Sequence, residues 1–135
     1  MAENIFLEVV TPSKAVVSED AQIVVAPGTE GEFGVLRGHT TFLTSLKLGT
    51  LRYKDSSGVE RAVFISGGFA EVLPNKVTVL AESAERRKDI DVERARLAKE
   101  RAEKRLTSTG VDIDFVRAKA ALRRAIHRLS IKGSS

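Results

Sequence analysis

Arginines are the residues best placed to do chemistry in this chain, and the chemistry is anion binding. Arg94 and Arg101 stand seven positions apart, and Arg124 and Arg128 four apart, in stretches that read as helix. Each pair therefore falls on nearly one helical face. If the two helices fold back as an antiparallel hairpin, the four guanidiniums converge. They would repel one another unless phosphates or carboxylates neutralised them, and a guanidinium is the side chain best shaped for bidentate phosphate contacts. Asp91, in Ile90-Asp91-Val92-Glu93-Arg94-Ala95, sits where an acidic helix cap is favourable. The plainer reading of the same residues is an ordinary cap with scattered surface arginines.

No other constellation points to catalysis. His39 and His127 are the only histidines and there is no cysteine, whereas metal sites usually gather three or four ligands. Neither a G-x-S-x-G nucleophile context nor a G-x-x-x-x-G-K-[ST] phosphate loop is present. No catalytic residue, metal ligand or obligatory cofactor is assigned. Gly28, Gly31, Gly34 and Gly38 read as tight turns and a bulge, and Phe33, Val35, Leu36 and Phe42 among them as a contact surface. Arg117, Lys119, Arg123, Arg124, Arg128 and Lys132 make the last helix basic. That is either a solvated face or a surface for an anionic partner. Nucleic-acid binding normally adds stacking aromatics, and this stretch offers only Phe115.

The elements that must position these residues change character near Ser83. Before it, Asn4–Val10, Gln22–Ala26, Phe42–Leu46, Thr50–Lys54, Arg61–Ser66, Phe69–Leu73 and Lys76–Leu80 are short runs rich in branched and aromatic residues, separated by turn signals. Such runs indicate an antiparallel sandwich or barrel. Lys76-Val77-Thr78-Val79-Leu80 alternates as a half-buried strand does. After Ser83, Asp91–Leu106 and Asp112–Ile131 read as helices around the break Thr107-Ser108-Thr109-Gly110. Val92, Ala95, Ala102 and Leu106 share one face of the first, and Phe115, Ala118, Leu122, Ala125 and Leu129 form a heptad-like seam on the second. Glu100 and Lys104 are spaced as an ion pair. Asp112 is the expected second cap, with Val111 and Val116 as a hydrophobic staple. Alanine seams bury little apolar area, so the hairpin is expected to be marginal by itself.

The division is therefore 1–84 as a β-sandwich and 85–135 as a helical hairpin, an α+β chain. Charge follows the same split. Residues 1–83 carry seven basic and ten acidic side chains, and residues 84–135 carry fifteen basic and eight acidic, within a net charge of +4 for all 135 residues. The basic half suits an acidic protein surface or an anionic ligand. A basic sandwich module that binds nucleic acid through its helical tail is the alternative, recognisable by steep salt dependence. No apolar run approaches the length that spans a bilayer, and the first ten residues lack the basic flank and apolar run of a signal peptide.

Gly31-Glu32-Phe33-Gly34-Val35-Leu36-Arg37-Gly38-His39 resembles the G-E-x-G-x-x-x-G-H signature of the ATP synthase epsilon-subunit family, bacterial type. Ser66-Gly67-Gly68-Phe69-Ala70-Glu71-Val72 resembles its S-G-G-x-x-E-V strand pair. Ile90–Ala95 resembles its I/L-D-x-x-R-A motif, and Arg124-Ala125-Ile126-His127-Arg128-Leu129 its last helix. The four occur in the family's order over nearly the whole chain.

The resemblance implies a non-catalytic rotor-stalk subunit that couples catalysis to ion translocation. Its sandwich would bind the gamma subunit and the c-ring, with Glu32, Phe33 and His39 as contact residues. Phe33 departs from the smaller aliphatic residue common there. The hairpin would move between compact and extended states. Extended, its basic residues Arg117, Lys119, Arg123, Arg124 and Arg128 would meet an acidic segment of the beta subunit and inhibit hydrolysis. Compact, it would bind regulatory ATP through Glu85, Asp91, Arg94, Ala95, Arg101, Arg124 and Arg128. The implied place is peripheral, at the cytoplasmic face of a bacterial plasma membrane, reached only through the complex and without nucleic acid.

Overall fold

In the computed structural model, residues 3–107 and 114–133 are described. The chain divides into two compact units between Arg87 and Lys88. That is later than the compositional shift at Ser83, because the chain forms one more strand after it.

Among the described residues the first unit has nine strands: β1 Ile5–Val10, β2 Ala15–Gly28, β3 Gly31–Val35, β4 Phe42–Leu46, β5 Gly49–Asp55, β6 Glu60–Ile65, β7 Gly68–Leu73, β8 Lys76–Ala81 and β9 Ala84–Arg86. They run in the order β1-β8-β7-β4-β2-β5-β6-β9, with β3 on β2 and β1 also paired to β2. Every pairing is antiparallel except β1 with β8. The 14-residue β2 turns the corner between layers. Its first half lies against β1, its second half against β3 and β5, and the register slips between Ala21 and Ile23. Such a slip bends a strand and lets it serve two sheets.

Alternation explains the core. Ile5, Leu7 and Val9 point inward from β1, and Val77 and Val79 from β8. They meet Leu51, Val63, Ile65 and Val72 in one cluster of mostly aliphatic residues. Each such side chain contributes about 1.5–3 kcal/mol on burial. Three stretches depart from expectation. β3 is a strand where turns and a bulge were expected, β2 begins at Ala15 rather than Gln22, and β9 is additional.

A 3-10 turn, Arg87–Asp89, straddles the division. In the second unit, α1 spans Val92–Thr107 and α2 Phe115–Gly133, and the two pack on each other as a hairpin. Asp91 caps α1: its Oδ1 accepts from Arg94 N at 3.0 Å. The cap of α2 is Asp114, whose Oδ1 accepts from Arg117 N at 3.0 Å. Helix α2 thus starts three residues after the expected Asp112. Asp112 itself, Val111 of the expected staple and Ser108-Thr109-Gly110 of the expected break lie outside the described residues.

The hairpin interior is alanine. Ala95 and Ala102 on α1 and Ala118 and Ala125 on α2 are buried. Leu106, Leu122 and Leu129 flank them, half-buried. Val92 and Phe115, expected in the seam, stay 46% and 50% exposed. They sit at the first turns of their helices, where a close alanine crossing covers little. Ile131, outside the expected seam, is buried instead. Glu100 pairs not with Lys104 but with Arg96, which also holds Glu93. One guanidinium reaches both carboxylates and keeps the Glu93 carboxyl below its usual range.

Candidate functional site

Two groups of side chains stand out, one in each unit. In the first unit, β3 carries Glu32 and Phe33 beside the second half of β2. Arg52 on β5 reaches the Glu32 carboxylate at 3.0 Å, which orients a side chain that remains exposed. Phe33 packs edge-on to Phe42 with ring centroids 5.3 Å apart, and His39 does the same at 5.2 Å. Phe42 on β4 thus bridges Phe33 and His39, an arrangement worth about 0.5–1.5 kcal/mol per aromatic pair beyond burial. The structure brings Phe33 and His39 together through Phe42, and it holds Glu32 through Arg52. Arg52 carried no sequence signal; only the strand register reveals it.

The outer face of the same unit has an apolar strip. Leu43, Phe69 and Leu80 are 71%, 58% and 57% exposed. Phe69 lies opposite Leu80 across β7 and β8 and opposite Ser45 across β7 and β4. Leu43 is two residues along β4 on the same face, opposite Glu71. Sheets turned to water normally carry polar residues there. Such a strip is a candidate contact surface.

In the second unit the basic residues sort by flank. With 100° per residue, Arg94, Arg101 and Arg105 share one flank of α1, and Arg117, Arg124 and Arg128 one flank of α2. Arg94 and Arg101 are exposed, and Arg124 and Arg128 half-buried. Ala95 is buried in the alanine seam, where it permits close helix approach rather than offering a polar group. The Asp91 side chain accepts from the Arg94 backbone N–H. Glu85 belongs to β9 of the first unit, opposite Phe64 of β6. Arg117, Lys119 and Arg123 are exposed along α2. Burial pushes the His127 imidazole below its ordinary value. Lys132 Nζ donates to Lys88 O at 3.3 Å, tying the end of α2 to the start of the unit.

The chemistry on offer is binding. Among the described residues no group of three or more His, Asp or Glu is placed to hold a metal ion. None of the described helices is long and apolar enough to cross a membrane.

Residues 4–87 match the family model of the ATP synthase delta/epsilon chain beta-sandwich domain, and residues 88–133 that of its long alpha-helix domain. An ATP synthase epsilon chain of Desulforapulum autotrophicum is 75% identical over 131 residues, covering 97% of each chain. One of Nitratidesulfovibrio vulgaris is 55% identical over 135 residues, covering all of both. A chain of the Euglena gracilis mitochondrial ATP synthase, solved as OSCP/F1/c-ring, superposes with a TM-score of 0.73 at 27% identity, covering 88% of this chain and 75% of that one. A chain of the Tetrahymena thermophila mitochondrial ATP synthase central stalk and c-ring shares the fold, with a TM-score of 0.58 at 16% identity over 96% and 94% of the two.

Proposed function

The chain belongs to the ATP synthase delta/epsilon chain family, and on that premise we propose that this epsilon subunit is a non-catalytic coupling element of the rotor with a mobile, ATP-sensing hairpin. Its sandwich binds the gamma subunit through the strip of Leu43, Phe69 and Leu80. It meets the c-ring through the end that carries Glu32, Phe33 and His39. Its hairpin exchanges partners, and in its extended form Arg117, Lys119, Arg123, Arg124 and Arg128 contact an acidic segment of the beta subunit and oppose hydrolysis. Membrane association follows from the complex, at the cytoplasmic face of a bacterial plasma membrane.

The observation that carries the mobile hairpin is its inverted packing. Apart from Ile131 the fully buried positions of the two helices are the four alanines, while Val92, Leu97, Phe115, Val116 and Ile126 stay exposed. Helix pairs that gain little from each other are held by what else they touch. Regulatory ATP supplies such a hold, its phosphates neutralising Arg94, Arg101, Arg124 and Arg128 beside the helix cap at Asp91. A ligand at 100 times its Kd stabilises the state it selects by about 2.7 kcal/mol, enough to shift a marginal equilibrium about a hundredfold.

Isothermal titration with ATP, with and without Mg²⁺, tests the sensor. Saturable binding that Arg94→Ala and Arg128→Ala both abolish supports it. No heat up to millimolar ATP removes the sensor and leaves the stalk subunit standing.

A further inference from the structure

We propose that Arg37 is a positioning residue that pre-sets the β3–β4 loop for docking, an inference resting on the ring-contact role given above to Glu32, Phe33 and His39. Between Val35 and Phe42 the chain must reverse on the surface. Gly38 makes this possible with φ of +86°. Its N–H donates to Pro74 O at 2.7 Å, and His39 N–H donates to Leu36 O at 3.1 Å. Arg37 ties the other side of the loop. Its Nη1 donates to Asn4 O at 3.0 Å, and its Nε lies 3.2 Å from Glu3 Oε2. The two anchors are joined to each other, because Phe6 N–H donates to Asn75 O at 3.0 Å. The loop, the β7–β8 turn and the entry to β1 therefore form one closed set of hydrogen bonds.

An exposed ion pair alone would do little. The guanidinium, however, spends two separate N–H groups on two partners in fixed directions, which a lysine cannot reproduce. Leu36, Arg37, Gly38 and Thr40 are exposed, and His39 rests on Phe42. A loop like this in an unanchored chain must be ordered when it docks, and that ordering weakens the complex. Arg37 orders it beforehand.

The test measures binding of the full-length chain to the cognate gamma–c-ring subcomplex, together with amide exchange in residues 36–40. Arg37→Gln should weaken binding by about three- to tenfold, the ordering cost of one or two groups. It should speed exchange at Gly38 and His39 while amides of β7 and β8 stay protected. Arg37→Lys, which keeps the charge without the fork, should recover only part of the loss. Full recovery by Arg37→Lys would make the effect one of charge and overturn the proposal. So would Arg37→Gln that leaves binding or exchange unchanged. Glu32→Gln separates the two readings. If it fails to weaken the complex, the ring-contact assignment fails and Arg37 falls with it. If it weakens the complex and Arg37→Gln does not, only the positioning role is lost.

Discussion

Tyr53 donates its phenolic hydrogen to Glu19 Oε2 at 2.8 Å, and that same oxygen lies 3.3 Å from Arg86 Nη2. Arg86 Nε also donates to Val16 O at 2.9 Å. Three strands distant in sequence, β2, β5 and β9, are thereby pinned at one point. β9 is only three residues long and pairs with β6 alone. A strand this short frays easily, and it is the last strand before the second unit begins. The Arg86 side chain gives it a hold that its ladder does not.

Tyr53→Phe should cost about 1 kcal/mol at neutral pH, the net worth of one intramolecular hydrogen bond. Burial first, and then the bond to Glu19, raise the Tyr53 pKa from 10.0 to about 12. Because the folded value lies above the unfolded one, the stabilisation is complete below pH 10 and is lost as pH climbs to 12. Urea titrations of the wild type and Tyr53→Phe at intervals over this range should therefore draw together and then cross. A constant gap between them would mean that the hydroxyl does not ionise with unfolding.

Asp55 should govern acid stability at the β5–β6 turn. Its Oδ1 accepts from Ser57 N at 3.0 Å and Val59 N at 2.9 Å, and its Oδ2 faces Arg61 Nε at 3.2 Å. The Val59 amide, followed by the Arg61 and Ser57 hydrogen bonds, holds the carboxyl below its ordinary 3.8. A depressed folded value means that the stabilisation is present above the unfolded pKa and fades as pH falls below it. Asp55→Asn should lower the melting temperature by several degrees at pH 7 and flatten its decline as pH falls below about 4. A parallel decline in both proteins would show that other carboxylates set the acid limit.

Gly68 should tolerate no side chain. Its φ is +147°, and a Cβ there would stand 2.0 Å from Leu80 O and 2.9 Å from Ala81 Cα. Both are backbone of the paired β8, so neither can step aside. Gly68→Ala should cost about 3 kcal/mol or more. Gly34→Ala should stay within about 0.5 kcal/mol, because a Cβ at Gly34 meets nothing within 4 Å. Chemical denaturation of the two variants side by side checks the contrast. Equal losses would mean that the β7–β8 register shifts to make room.

How much of this could be read before the fold was known varied with the kind of signal. Alternation gave β8 directly, since the apolar Val77 and Val79 alternate with Lys76 and Thr78. β3 was hidden because Gly31 and Gly34 contribute no side chain to a period-two pattern. The first half of β2 was hidden because Ser18, Glu19 and Asp20 are polar, and pairing with Glu8, Leu7 and Phe6 makes them a strand. Capping at Asp91 was legible from spacing. At the second helix Asp112 and Asp114 stand two residues apart, and it is the Asp114 side chain that accepts from the Arg117 N–H. The Glu32–Arg52 and Glu19–Arg86 contacts join residues 20 and 67 positions apart, so only the folded register exposes them.

Ala125 offers the sharpest test of the hairpin. It is 1% exposed at the centre of α2, and Ala95, Ala102 and Ala118 are as well covered. Such a seam has room for methyl groups and nothing larger, so Ala125→Leu should overpack it by about 1–3 kcal/mol. Since the chain has no cysteine, spin labels at introduced cysteines in place of the exposed Glu103 and Lys119 can report the helix–helix distance. The closed population should fall about tenfold in Ala125→Leu, and apparent ATP affinity should fall by the same factor, because a ligand selects only the fraction already competent. Inhibition of hydrolysis in the assembled enzyme should rise in step. If the distance distribution broadens while ATP affinity stays fixed, the arginines bind from one helix alone and the closed hairpin is not the sensing state.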